Sequence, residues 1–340
     1  MNAPSPAAHG RIIASEFRPH PWLRGPHAQT VLPSLFRPLP PVDFAIETLE
    51  LPDGDFVRLA WAGRETPGGR VAVLVHGLTG GFQSKYLRGL ARLLTQAGWR
   101  VAALELRGGA DRPNRVARSY HHGDTADLRH LWRLLKQRDP RARLAAVGWS
   151  LGANVLLKAM GEEGEGAPVE AAVAASAPFL LEPCAQKLRT GFARVYQNHL
   201  IRNLKAMIAR KKELLAPAGI DFDAVMRVRD FFEFDEVYTA PLNGFASARD
   251  YYERCECGKF LKTIGKPTLV VNAIDDPFMV RSIMPRPEAL APAVTLEIAR
   301  RGGHVGFVSA GPDGRLSYWL EQRIADWLEA AMPAAPRPKR

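Results

Sequence analysis

The chain has 340 residues, of which 46% are hydrophobic and 24% charged, and its formal net charge is +11. This composition is typical of a globular protein that buries a sizeable core, and it excludes a largely disordered chain. A positive charge of this size is typical of proteins that bind nucleic acid. No nucleic-acid-binding motif accompanies the charge, so we expect no such partner.

The cysteines and the apolar segments indicate where the protein resides. Cys184, Cys255 and Cys257 are too few and too closely spaced for a disulfide framework, and no second pair completes a zinc site. Residues 1–10 lack the apolar stretch of a signal peptide. No run of eighteen apolar residues predicts a membrane-spanning helix. We therefore expect reduced thiols and a cytoplasmic protein.

The predicted elements begin with an amino-terminal arm. Residues 1–45 are rich in proline and predict an extended segment that lies on the domain. Residues 46–51 and 56–61 flank the turn sequence Pro-Asp-Gly-Asp and predict an antiparallel hairpin.

Strand and helix patterns alternate along the rest of the chain, which is typical of a doubly wound parallel sheet. The predicted strands are residues 70–76, 101–106, 144–147, 169–175, 267–272 and 294–298, and the predicted helices are residues 86–97, 124–136, 153–160 and 316–332. Residues 179–262 interrupt this alternation with helix-like sequence and predict a cap over the carboxyl edge of the sheet. The core then comprises residues 46–178 and 263–332, and residues 333–340 are expected to form a frayed tail.

The sequence Gly148-Trp149-Ser150-Leu151-Gly152 lies between a predicted strand and a predicted helix. In this context, Gly-x-Ser-x-Gly indicates a nucleophile elbow, a sharp turn that exposes the serine hydroxyl at the end of a strand. The glycines are required because side chains there would collide with the neighbouring strand and helix. We therefore predict Ser150 as a nucleophile.

A serine nucleophile needs a base to take its proton and an acid to orient the base. His304 lies among glycines after the last predicted strand and is the predicted base. The acid should follow the strand 267–272, where Asp275 and Asp276 are both candidates. Asp276 directly precedes Pro277, a turn-forming residue, and is the favoured candidate.

Acyl transfer also requires backbone N–H groups that bind the developing oxyanion. We predict the N–H groups of Leu151, which follows the nucleophile, and Leu78, which lies in the loop after the strand 70–76. The glycines near Leu78 lack the spacing of a phosphate-binding or dinucleotide-binding loop. We expect neither a cofactor nor a metal ion.

Several stretches together resemble a known family. They are residues 26–30 (Pro-His-Ala-Gln-Thr), 76–78, 118–125, 152–158, 234–241 and 275–278. With these stretches the chain resembles the YheT-like branch of the α/β-hydrolases, the bacterial relatives of the ABHD1/ABHD3 group. The resemblance implies an α/β-hydrolase fold with a mostly parallel central sheet, helices on both faces and a helical cap. It also implies hydrolysis of carboxylic esters by a triad of Ser150, Asp276 and His304.

Four polar residues of the stretch 118–125 are expected to form a hydrogen-bonded loop against the elbow rather than to act in catalysis. They are Arg118, Tyr120, His121 and Asp124.

The segment from Lys187 to Lys212 contains eight Lys or Arg and no Asp or Glu, and apolar residues recur between Leu188 and Ile208 at three- to five-residue steps. This pattern predicts one basic amphipathic helix, or two with a bend. It favours a cap that covers the acyl pocket for a medium-chain or lipid-like ester. Contact with an anionic membrane at the inner surface is the alternative. Acyl transfer to an acceptor other than water and a lipid-binding scaffold are the alternative activities.

Overall fold

A nine-stranded sheet forms the centre of the computed structural model, which describes residues 8–109 and 113–334. Its strands are β1 (Arg11–Ala14), β2 (Ala45–Glu50), β3 (Phe56–Ala62), β4 (Arg70–Val75), β5 (Arg100–Glu105), β6 (Arg143–Trp149), β7 (Ala171–Ala175), β8 (Thr268–Ala273) and β9 (Val294–Ala299). Their order across the sheet is β1-β9-β8-β7-β6-β4-β5-β3-β2. Only the pairs β3–β5 and β2–β3 are antiparallel within this sheet. The prediction of a mostly parallel sheet is confirmed.

Helices cover both faces of the sheet, and several more lie over the carboxyl ends of its strands. They are α1 (Pro26–Phe36), α2 (Lys85–Gln96), α3 (Ala126–Arg138), α4 (Leu151–Glu163), α5 (Leu181–Leu188), α6 (Ala193–Ala209), α7 (Phe222–Arg227), α8 (Phe231–Phe234), α9 (Ala240–Leu242), α10 (Ala248–Cys255) and α11 (Trp319–Ala331). A separate antiparallel pair consists of β10 (Val308–Ala310) and β11 (Leu316–Tyr318).

The central strands are apolar because both of their faces are covered. Every residue of β4, β7 and β8 is buried. One face packs against α3 and α4 through residues such as Trp132 and Leu156. The other face packs against α2 and α11 through residues such as Leu90 and Leu328. Such burial on both faces removes the alternation of polar and apolar residues from the strand sequences.

The segment 179–262, which we call the cap, contains helices α5 to α10 and follows β7. It has its own apolar core, and Leu78 and Phe278 pack against that core. These two residues follow β4 and β8, so the cap lies over the carboxyl edge of the sheet. The basic segment from Lys187 to Lys212 contains the last two residues of α5 and the whole of α6, and Gly191 between these helices has a φ of +54°.

The amino-terminal segment differs from the extended arm that the sequence predicts. Strand β1 pairs in parallel with β9 at the sheet edge, with Arg11 opposite Thr295, and α1 follows it. Sequence patterns do not reveal such a strand because it has four residues, is only half-buried and pairs with a distant segment. The last helix begins at Trp319 rather than residue 316, because residues 316–318 form β11.

Two predicted terminal features lie partly beyond the described ranges. Residues 1–7 of the arm and residues 335–340 of the frayed tail are outside them. Within the described ranges, no helix is both long and apolar enough to cross a membrane.

Candidate active site

Ser150 occupies a strained turn between β6 and α4. Its φ is +53°, a conformation that serine rarely adopts without support from its surroundings. A Cβ atom on Gly148 would lie 2.3 Å from the carbonyl oxygen of Gly152, and one on Gly152 would lie 2.3 Å from that of Val75. The chain therefore can turn this sharply only with glycine at both positions, as the sequence pattern predicts.

The three polar side chains that the sequence singles out lie in hydrogen-bond contact. Nε2 of His304 lies 2.8 Å from Oγ of Ser150, and Nδ1 of His304 lies 2.7 Å from Oδ2 of Asp276. The other carboxylate oxygen of Asp276 accepts the N–H of Phe278 at 2.8 Å. The Phe278 ring stacks on the imidazole, with 4.0 Å between centroids and 4° between planes. A base held in this way can accept the proton of the serine hydroxyl.

The alternative acid, Asp275, makes a different contact. Its Oδ1 accepts the backbone N–H of Gly303 at 3.0 Å, and burial raises the pKa of its carboxyl group. The structure therefore brings Asp276, not Asp275, to the imidazole.

The loop after β4 approaches Ser150 closely because Gly77 has no side chain. A Cβ atom there would lie 3.2 Å from Cβ of Ser150. The N–H of Gly77 donates to the hydroxyl of Tyr86 at 3.0 Å, and the N–H of Thr79 donates to that of Tyr120 at 2.7 Å. The N–H of Leu78 between them has no hydrogen-bond partner among the described residues.

The second predicted donor, Leu151, is the first residue of α4. Its N–H has no carbonyl partner within the helix, as at every helix amino terminus. The N–H groups of Leu78 and Leu151 therefore remain available to bind an oxyanion.

A buried histidine stabilises the loop after β4. His76 accepts the N–H of Leu106 at Nε2, so its Nδ1 carries the proton and donates to the Gly77 carbonyl at 2.7 Å. Burial lowers the pKa of His76 to about 4, so the ring is neutral at pH 7. His76 thus supports the backbone that presents Leu78.

Two cavities meet at Ser150, and Leu78, Leu200, Phe278 and His304 line both. The larger, which we call the cleft, has a volume of about 600 Å³ and lies between α1, α2, α6 and α11. The smaller, which we call the chamber, has a volume of about 80 Å³ and extends under the cap. Its walls are mainly apolar and include Leu181, Cys184, Ala185, Leu188, Phe231 and Met279.

The polar stretch 118–125 is hydrogen-bonded both within itself and to the loop after β4. Arg118 pairs with Asp124 at 2.7 Å, and the hydroxyl of Tyr120 accepts the N–H of Thr79. Burial lowers the pKa of His121 to about 3 and raises that of Asp124 to about 6. These contacts agree with the expected hydrogen-bonded loop.

Asn154 is a further polar residue whose role the sequence does not reveal. It is fully buried, and its side-chain nitrogen donates to the carbonyls of His122 and Cys255 at 2.8 Å each. Its side-chain oxygen accepts the N–H of Cys257 at 2.9 Å. Asn154 thereby connects α4 to the cap. In the described ranges, no cluster of three or more His, Cys, Asp or Glu could hold a metal ion.

Comparison with known proteins gives the same fold and a family. Residues 71–310 match the alpha/beta hydrolase fold family. The chain is 42% identical over 326 residues to the inferred esterase YheT of Escherichia coli (strain K12), covering 94% of this chain and 95% of that protein. It is 27% identical over 308 residues to the phospholipase ABHD3 of Mus musculus, covering 88% and 75%.

A solved structure has the same fold at low sequence identity. The Pyrococcus furiosus esterase Pf2001 superposes with a TM-score of 0.56 and 15% identity, covering 95% of this chain and 98% of that one.

Proposed function

Because the chain belongs to the alpha/beta hydrolase family and to its YheT-like branch of esterase-type hydrolases, we propose that it cleaves carboxylic esters through an acyl-enzyme on Ser150. One observation supports this proposal above the others. Asp276, His304 and Ser150 form a continuous hydrogen-bonded chain at the strand ends, where two cavities meet.

In the first half of the reaction, Nε2 of His304 takes the proton of the Ser150 hydroxyl as Oγ attacks the ester carbonyl carbon. The N–H groups of Leu78 and Leu151 bind the resulting oxyanion. The tetrahedral intermediate then collapses, the bond from carbon to the alcohol oxygen breaks, and the alcohol leaves with the proton from His304.

In the second half, His304 takes a proton from water, and the hydroxide oxygen attacks the acyl carbon. Collapse of this intermediate breaks the bond to Oγ, returns the proton to Ser150 and releases the carboxylic acid. Asp276 accepts the Nδ1 hydrogen throughout, so Nε2 faces Ser150 and the imidazolium is stabilised.

We assign the part of the acyl chain next to the carbonyl to the chamber and the alcohol to the cleft. The chamber is mainly apolar, so it desolvates the hydrocarbon next to the ester carbonyl, and its volume of about 80 Å³ admits no large head group. The cleft is lined by Val305 and Gly306 beside His304, the group that must protonate the leaving alcohol. The cleft, at about 600 Å³, has the volume of pockets that hold larger ligands, so the two cavities together favour a medium-chain or lipid-like ester.

Contact with an anionic membrane is a second proposal, and it rests on the surface around the cleft. Leu35, Phe36, Phe192 and Val195, which we call the mouth rim, have exposed fractions of 64%, 75%, 54% and 55%. Leu35 and Val195 also line the cleft, so the mouth rim borders the entrance to Ser150. Arg194 of α6 is exposed beside it and would attract anionic head groups.

The direct test compares hydrolysis of p-nitrophenyl esters by the wild type and by Ser150→Ala. We expect kcat to fall by about 10⁴-fold or more, since the nucleophile is lost, whereas Ser309→Ala in β10 should retain wild-type turnover. Ester hydrolysis that persists in Ser150→Ala would contradict the proposal. An acyl-enzyme can also acylate an alcohol, so products formed with added alcohols distinguish hydrolysis from transfer.

A further inference from the structure

The loop that carries His304 has an unusual backbone. Gly303, Val305 and Phe307 have φ values of +61°, +61° and +46°, and two of these residues are not glycine. Such conformations persist only where surrounding contacts compensate for their strain. The loop must therefore be held in place by other parts of the chain.

Three consecutive backbone N–H groups of this loop donate to three side chains from separate elements. The N–H of Gly303 donates to Oδ1 of Asp275 at 3.0 Å, and that of His304 donates to Oγ1 of Thr30 at 2.9 Å. The N–H of Val305 donates to Oγ of Ser176 at 3.1 Å. Asp275 follows β8, Thr30 lies in α1 and Ser176 follows β7.

The direction of the Thr30 hydroxyl is itself determined. It donates its hydrogen to the carbonyl of Pro26 at 2.7 Å, so a lone pair faces the N–H of His304. Helix α1 and the loop are also in backbone contact. A Cβ atom on Gly303 would lie 2.6 Å from the carbonyl oxygen of Pro26, and one on Gly306 would lie 2.0 Å from that of Gln29.

Gln29 extends this contact beyond the loop. Its side chain is fully buried, its amide nitrogen donates to the carbonyl of Val308 at 2.9 Å, and its oxygen accepts the N–H of Val308 at 2.6 Å. The segment 26–30, one of the stretches that carry the family resemblance, thus binds the chain on both sides of His304.

We propose that Thr30, Ser176 and Asp275 are positioning residues that hold the His304 backbone so that its ring meets Ser150 and Asp276 together. The proposal rests on the proposed function, and it makes the amino-terminal segment part of the active site. A small displacement of a reacting group strongly lowers the rate, so loss of one contact should reduce catalysis without removing substrate binding.

The test uses matched substitutions. Thr30→Val keeps the shape of threonine but removes the acceptor, and Thr30→Ser keeps the acceptor. We expect Thr30→Val to lower kcat by about ten- to hundred-fold with little change in KM, and Thr30→Ser to stay close to the wild type. Asp275→Ala should lower kcat similarly, whereas Asp275→Asn should retain most activity because its amide oxygen can accept the Gly303 N–H.

A readout that does not depend on turnover is the downfield proton resonance of the His304 Nδ1–H bonded to Asp276, assigned by its loss in Asp276→Ala. It should broaden or vanish in Thr30→Val and persist in Thr30→Ser. Unchanged kcat and resonance in folded Thr30→Val and Asp275→Ala would overturn the inference, as would equal losses in Thr30→Val and Thr30→Ser. A parent enzyme with this resonance but no Ser150-dependent turnover would contradict the proposed function instead.

Discussion

Tyr86 and Tyr120 use their hydroxyl groups in the same way on either side of Leu78. Each accepts a backbone N–H, from Gly77 and Thr79 respectively. Burial raises the pKa of both phenols, so they stay neutral at physiological pH. Together they determine the direction of the peptide that presents the Leu78 N–H.

Replacing Tyr120 with phenylalanine should therefore impair oxyanion binding. We expect kcat to fall by about tenfold with little change in KM, because the Leu78 N–H is displaced rather than removed. Affinity for a boronic acid, which mimics the tetrahedral intermediate, should fall by a similar factor. Tyr238→Phe in the cap is the control and should leave this affinity unchanged. Undiminished boronate affinity in Tyr120→Phe would contradict the assignment.

The roles of residues in local motifs could be predicted, and the partners of residues that act through distant contacts could not. Ser150 and His304 each follow a recognisable strand within a glycine-rich turn. Tyr120 meets a backbone N–H 41 positions away, and Thr30 meets one 274 positions away. Periodicity and turn chemistry carry no information about such pairs. Turn chemistry favoured Asp276 over Asp275 as the acid, and in the structure Asp276 is the carboxylate in contact with the imidazole.

At the scale of elements, some basic residues of α6 lie on the surface of the cap, and another binds backbone carbonyls within it. Arg194 and Arg202 are exposed. Lys205 instead donates to the carbonyls of Met226 and Val228 at 2.8 Å and 2.6 Å. An amphipathic pattern cannot separate these roles, because a long lysine at the edge of the apolar stripe can reach either solvent or backbone. Lys205 is therefore unsuitable for testing membrane contact.

Lys211, just beyond α6, connects the cap to the core. It is buried, and its amine donates to Ser119 at 2.6 Å, to the carbonyl of Arg118 at 3.0 Å and to Asn114 at 3.2 Å. Burial lowers the pKa of Lys211 to about 7 from an ordinary value of 10.5.

Between pH 7 and pH 10.5 the unfolded chain binds more protons at Lys211 than the folded chain does, so the free energy of unfolding rises with pH. Lys211→Met should lose this rise. We expect the stability difference between wild type and variant to grow by on the order of 2 kcal/mol from pH 7 to pH 9, measured by urea unfolding. Lys212→Met, at an exposed neighbour, should parallel the wild type. If the free energy of unfolding of Lys211→Met changed with pH in parallel with that of the wild type, the expected lowering of the Lys211 pKa would be contradicted.

At the scale of the whole molecule, the fold followed from the alternation of strands and helices, because parallel strands buried on both faces have recognisable apolar sequences. The structure of the amino-terminal segment could not be predicted in this way. Strand β1 and helix α1 are stabilised by β9 and by the His304 loop at the opposite end of the chain. Their local sequences, rich in proline, favour an extended segment when considered alone.

The mouth rim and the net charge of +11 predict selective binding to anionic bilayers. Wild-type protein should sediment with phosphatidylglycerol vesicles but not with phosphatidylcholine vesicles, and about 0.5 M salt should weaken the binding. The double variant Phe36→Ser/Phe192→Ser should bind less while keeping p-nitrophenyl acetate turnover. Ile46→Ser, an exposed apolar residue of β2, is the control. Absence of wild-type binding at low salt would exclude membrane contact.

The most direct measurement of the central claim is covalent labelling with a fluorophosphonate followed by intact-mass analysis and peptide mapping. A serine activated by His304 should react with one probe per chain, and the adduct should lie on the peptide that contains Ser150. Labelling should vanish in Ser150→Ala and persist in Ser309→Ala. A probe that still labels Ser150→Ala, or that attaches to another residue of the wild type, would contradict the assignment of Ser150 as the nucleophile.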